Sequence, residues 1–157
     1  MSRILSLALI LALPLSAFGN VDGVWQCNVT SKITTKANGR TTKGKDFGSS
    51  TQTLFPDGTY TSRTPVSPLE ATGTYALKKR TVTYDPNFED LIAIAEYSCA
   101  QAGSECVISA ISGKTKSTVN KAFTTMKGQG TLNMSILVNG SVLVRTTSQA
   151  TSNCVRR

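Results

Sequence analysis

The chain contains no histidine, and that absence removes most of the arrangements by which proteins do covalent or metal chemistry. Ser-His-Asp and Cys-His nucleophile pairs and histidine-ligated metal centres all need an imidazole as base or ligand. General-base work would fall on a carboxylate or a lysine. Five of the nine carboxylates, Asp85, Glu89, Asp90, Glu96 and Glu105, fall in a single stretch, where solvation and the dipole of a helix account for them. The four cysteines include no Cys-x-x-Cys pair, so a zinc site is not expected. Gly128-Gln129-Gly130 lacks the following helix and lysine of a phosphate-cradling loop. The residues therefore point away from an enzyme and call for no metal or cofactor.

The cysteines fit export instead. Residues 1–19 carry Arg3, an apolar run from Ile4 to Leu13, and small residues Ala17 and Gly19 at the positions a signal peptidase reads. That run is shorter than the roughly 20 residues a membrane span needs. The expectation is a signal peptide over 1–19, one domain over 20–157, and a periplasmic or extracellular product with no membrane span. In that setting four cysteines favour two disulfides, for which three connectivities are formally possible. Cys99 and Cys106 are close in sequence, whereas Cys27 and Cys154 lie near the two ends, where a bridge constrains the unfolded chain most. The spacing predicts Cys27–Cys154 and Cys99–Cys106.

Seventeen basic and nine acidic residues give a formal charge of +8. Between Arg80 and Lys114 there is no cation, and the rest of the chain is cationic in three groups: Lys32 to Lys45, Lys78 to Arg80, and Lys114 to Lys127. Such groups attract nucleic acid, anionic lipid or an acidic protein, or simply solvate a surface. Nucleic-acid binding usually couples charge to stacking aromatics. Only Phe123 interleaves with these groups, so a nucleic-acid partner is not expected. An exported inhibitor or immunity-type protein that binds an acidic protein partner through its cationic loops is the alternative to a small-molecule carrier.

The elements that would carry these residues are mostly strands. Thr53 to Tyr84 reads as a β-meander: Pro56-Asp57-Gly58 suits a three-residue hairpin loop, Gly73-Thr74-Tyr75 opens another strand, and Lys78-Lys79-Arg80 forms a charged tip. Trp25, Cys27 and Val29 alternate along a first strand, with Trp25 as a core anchor. Lys36 to Ser50 loses hydrophobic periodicity and reads as a mobile loop. Phe88, Leu91, Ile92, Ala95 and Cys99 fall at helical spacing, which places one helix over about 88–102, ended by Gly103. Cys106 to Ile111 reads as a strand closed by Gly113. Residues 117–127 fit either a helix or a strand, with strand preferred. In the hairpin from Leu132 to Thr147, a three-residue loop with left-handed Gly140 pairs Ile136 with Val142 and Met134 with Val144. Asn133 then sits opposite Arg145.

Gly23-x-Trp25 on a first strand, followed by Phe55-Pro56-Asp57-Gly58-Thr59-Tyr60 and Gly73-Thr74-Tyr75, resembles bacterial lipocalin-like domains of the calycin type. The Thr-Asp-Tyr type motif of larger lipocalins is missing, and the helix interrupts the barrel instead of following its last strand. The resemblance implies an up-and-down antiparallel barrel of about eight strands, with an arginine near the last strand, Arg145 or Arg156, covering the tryptophan. It also implies an interior that is either packed or wide enough for one small apolar ligand, lined by Phe55, Tyr75, Tyr84, Met134 and Ile136.

Overall fold

Alternation decides the architecture. In β1 (Gly23–Ala37), Trp25 and Cys27 are buried while Val24 and Asn28 on the opposite side are exposed, the period-two pattern of a sheet with one wet face. Seven more strands follow: β2 (Arg40–Leu54), β3 (Thr59–Arg63), β4 (Glu70–Lys78), β5 (Thr81–Pro86), β6 (Cys106–Val119), β7 (Thr125–Val138) and β8 (Val142–Arg156). The helix α1 (Phe88–Gln101) lies between β5 and β6. Each strand pairs antiparallel with its sequence neighbour and β1 pairs with β8, which closes the sheet into an up-and-down barrel. Closure removes the exposed edges that make open sheets prone to aggregate. The computed structural model describes residues 20–157, and the leader expected over residues 1–19 lies outside them.

At the β1–β8 seam Cys27 stands directly opposite Cys154, with Cα atoms 4.0 Å apart, and the two form a disulfide. Cys99 at the end of α1 is bridged to Cys106 at the start of β6. Both pairings are those the spacing predicts.

One end of the barrel is packed solid. Trp25, Leu54, Val82, Val119, Met126 and the Cys27–Cys154 bridge are all buried there, with Val21 packed among them ahead of β1. The Trp25 indole donates from Nε1 to the Val21 carbonyl at 2.8 Å, so its one polar atom is satisfied. Arg156 lies over the ring, its guanidinium carbon 5.9 Å from the centroid. It donates from Nη1 to the Asn20 carbonyl at 2.9 Å and from Nη2 to the Asp22 carbonyl. Gly23, at φ +122°, leaves room for it: a Cβ there would sit 3.3 Å from Arg156 Nε. The arginine that covers the tryptophan is thus Arg156; Arg145 lies on β8 opposite Lys36, toward the other end.

That other end is shaped by α1. Asn87 caps it, accepting from the Glu89 N–H, and Glu89 and Asp90 occupy the positive first turn. Asp90 accepts from both the N–H and the hydroxyl of Thr72 on β4. Gly103, at φ +75°, and the bond from Ser104 N to the Cys99 carbonyl end the helix in a Schellman turn. Asp90 at one end and the Cys99–Cys106 bridge at the other tie α1 to β4 and β6.

Three readings of the chain are corrected. Lys36 to Ser50 is not a loop: the residues belong to β1 and β2, which pair continuously from Gly23↔Leu54 to Ala37↔Arg40 around a two-residue turn at Asn38 and Gly39, both with positive φ. Hydrophobic periodicity is missing because most of β2 from Arg40 to Ser49 is exposed. β6 does not stop at Gly113 but continues to Val119, and residues 117–127 are the end of β6, a turn, and the start of β7. In the last hairpin the loop has three residues, Asn139 to Ser141, between paired Val138 and Val142. The register therefore pairs Ile136 with Val144 and Met134 with Thr146, and Asn133 faces Thr147, two residues from the expected partners. The shift is even, so Leu132, Met134, Ile136, Val142 and Val144 still share a face.

Candidate functional site

Between the packed end and α1 the lumen is not filled. A cavity of about 280 Å³ remains. Its apolar wall comes from Val29, Ala71, Leu132 and Ala150 on the strands and Leu91 from the helix. Gln52, Ser62, Thr115, Ser148 and Ser152 add inward-facing amide and hydroxyl groups. Tyr60 and Tyr84, edge to face with ring centroids 5.2 Å apart, stand between the cavity and the core.

Small side chains make this space. An eight-stranded barrel is about the size that ordinary side chains fill, yet the inward positions of β7 and β8 at this level are Gly128, Gly130, Ser148, Ala150 and Ser152. A Cβ at Gly128 would come within 2.3 Å of Ser152 Oγ and 2.7 Å of Ser117 Oγ, and one at Gly130 within 2.7 Å of Thr115 Oγ1. The glycines let neighbouring strands bring their hydroxyls in close. Toward the core the inward residues grow to Met126 and the Cys27–Cys154 bridge, and the space closes.

The side chains that register turns into the lumen offer hydrogen bonds in place of charge; Lys114, the one charged residue bordering the cavity, is at an outward position of β6. Burial pushes the Tyr60 and Tyr84 phenols up to about 12, so both are neutral near neutral pH. The Tyr84 hydroxyl lies 3.4 Å from Met126 Sδ. Burial first, and then its hydrogen bond to Asp22, push Tyr75 upward as well. Such a set can orient a small molecule by donors and acceptors, but has no paired acid and base poised around a reacting atom.

Of the residues expected to line the lumen, Tyr84 does so. Phe55 sits in the turn after β2 at the packed end and is exposed. Tyr75 is at that end too, donating to Asp22 Oδ1 at 2.5 Å and to the Phe55 carbonyl at 2.8 Å. Met134 and Ile136 are on the lumen-facing side of β7 but farther toward the opposite end, paired across β6 with Ile111 and Ile108. They do not line the cavity. Most of the wall residues that sequence reading missed are small or polar, Val29, Tyr60, Leu91 and Leu132 being the larger ones. Only the combination of Gly128, Gly130, Ala150 and Ser152 at alternating positions of two adjacent strands could have signalled them.

The fold and the lumen define the protein as a closed eight-stranded antiparallel barrel with a helix between its fifth and sixth strands. No family model and no curated protein matches the sequence. Among solved structures, the ywiB protein from Bacillus subtilis is similar over 81% of this chain and 91% of its own, at 7% identity and a TM-score of 0.32. A protein of unknown function from the DUF3598 family of Nostoc punctiforme is similar over 87% of this chain at 14% identity and a TM-score of 0.27. The chain spans about half, 47%, of that second protein.

Proposed function

We propose that this protein is an exported, non-enzymatic binding protein of the lipocalin-like kind that holds one small molecule in its lumen. The observation that carries the reading is the cavity of about 280 Å³ between the tyrosine pair and α1. Its size and its mixture of apolar wall and converging hydroxyls suit a compact ligand of about ten to twenty heavy atoms, since pockets for drug-sized molecules begin near 300 Å³. The lipocalin-like assignment is supported by Trp25 beneath Arg156. Export is supported by two disulfides, which persist in oxidising compartments, and by the leader-like pattern of residues 1–19.

The test fills the space. Ala150 faces inward from β8 on the cavity wall, and Ala150→Trp would occupy it. With an environment-sensitive apolar dye, the wild type should bind at one site and a folded Ala150→Trp variant should lose at least about tenfold in affinity, a loss worth roughly 1.4 kcal/mol. Dye binding unchanged by the substitution would place the site elsewhere.

A further inference from the structure

We infer that the outer face of the barrel, across β6, β7, β8, β1 and β2, is a binding surface for an acidic polysaccharide. Register places outward residues of these strands in rows that cross the sheet. One row runs Lys114, Thr131, Gln149, Lys32, Lys45, and the next runs Lys116, Gln129, Thr151, Thr30, Phe47. With strands about 4.8 Å apart, each row spans about 19 Å, and the two rows lie about 7 Å apart along the strands. A groove of about 870 Å³ follows them from β1 to β5.

The charge is one-sided. Lys36, Lys43, Lys127 and Arg145 extend the same face, and no outward position of these five strands holds a carboxylate. The nearest is Asp85, at the β5 end of the groove; Asp46 is on the other side of β2 by register. Among the described residues the one ion pair is Arg63 with Glu70, so the groove lysines are left to solvent. A row of like charges held across a sheet is mutually repulsive and gains by meeting an extended polyanion.

Chemistry narrows the partner. Between the lysines stand threonine and glutamine, side chains that hydrogen-bond to hydroxyl-rich chains. The one aromatic residue along the groove, Tyr84, is buried with its ring edge to face against Tyr60 and offers no free face for a base to stack on, and Phe47, 70% exposed, stands beyond the groove with Lys45 Nζ 5.7 Å from its ring. Tyr84 belongs to the core, and the other groove residues include none of the large apolar or aromatic side chains that anchor a protein interface. The exposed Val107, Leu143 and Val155 of this face lie near strand ends. A concave, hydroxyl- and amide-lined groove with spaced cations fits a linear sugar polymer bearing carboxylates, sulfates or phosphates.

Fluorescent polygalacturonate and dextran sulfate, with neutral dextran, a thymidine oligonucleotide and an acidic polypeptide (polyglutamate) as comparators, are titrated by anisotropy at low and moderate salt. Both acidic polysaccharides should bind more tightly than the oligonucleotide and polyglutamate, while neutral dextran should not bind. Lys32→Gln/Lys114→Gln/Lys116→Gln should weaken binding by about tenfold, the sum expected of three exposed charge contacts, and flatten its salt dependence. Lys78→Gln/Lys79→Gln/Arg80→Gln, at the β4–β5 tip, should change it less than about twofold, the scale of an exposed charge outside the site. Circular dichroism of each variant confirms the fold. Failure of both polysaccharides to bind at low salt would overturn the assignment. Equal loss in the tip variant, or tighter binding of the oligonucleotide or polyglutamate, would overturn it as well.

Discussion

Replacing both Cys27 and Cys154 by alanine should be the most costly change that leaves the strand register intact. The two residues are 127 apart in sequence, so the bridge closes nearly the whole described chain into a loop. The chain-entropy relation gives about 5 kcal/mol for a loop of that length, against about 2.5 kcal/mol for the Cys99–Cys106 bridge with its separation of 7. Cys27 and Cys154 are also 0% and 2% exposed beside Trp25 and Met126, so removing both sulfurs leaves a void that adds to the loss. A domain is typically stable by only 5–15 kcal/mol; the double variant should therefore sit near its unfolding midpoint in modest urea. Urea melts of wild type, Cys27→Ala/Cys154→Ala and Cys99→Ala/Cys106→Ala give the comparison directly. A loss below about 2 kcal/mol for the terminal pair, or a larger loss for the helix pair, would refute the reasoning that the seam bridge restrains the unfolded chain.

Two further outcomes follow from the packed end. Arg156→Ala should cost about 1–3 kcal/mol in a urea melt, because two carbonyls of the N-terminal segment lose their donors and Trp25 loses its cover; Arg156→Lys should recover little, since an ammonium cannot span both carbonyls and the ring. The tyrosines set an alkaline limit. Tyr60 and Tyr84 are held up to about 12 in the folded state against an ordinary value of 10, so the folded protein keeps protons that the unfolded chain releases. Their contribution is complete below pH 10 and declines as pH rises from 10 through 12. Midpoints of urea melts should fall over that window together with the appearance of tyrosinate absorbance, whereas a midpoint constant to pH 12 would contradict the burial of the pair.

The parts of this fold legible in the sequence are those in which one physical cause dominates. Turn chemistry at Pro56-Asp57-Gly58 forecast a three-residue loop, and Gly58 takes φ +84° with Asp57 accepting from Thr59. The helical spacing of Phe88, Leu91, Ile92 and Ala95 located α1 to within a residue of its end. The hidden parts are those where hydrophobic pattern is uninformative. β2 from Arg40 to Ser49 has Phe47 as its one large apolar residue, and that residue is exposed, so the signal that marked the strand was the Asn38-Gly39 dipeptide, a two-residue hairpin turn. Apolar residues were expected to line the site, and Met134 and Ile136 do face the lumen side of β7, but the cavity exists where side chains are small, at Gly128, Gly130 and Ala150. Space left by missing atoms has no hydrophobic signature in one dimension. Arg156 was distinguishable from Arg145 only through register, which places it beside Trp25.

Native mass spectrometry of the protein purified gently from its own source, followed by the same sample under denaturing conditions, tests the lumen reading most directly. A carrier should appear with one small molecule bound per chain, the added mass lost on denaturation and absent from Ala150→Trp prepared in parallel. A wild-type spectrum of bare protein, or an adduct that the Ala150→Trp chain retains, would contradict a ligand held in the barrel.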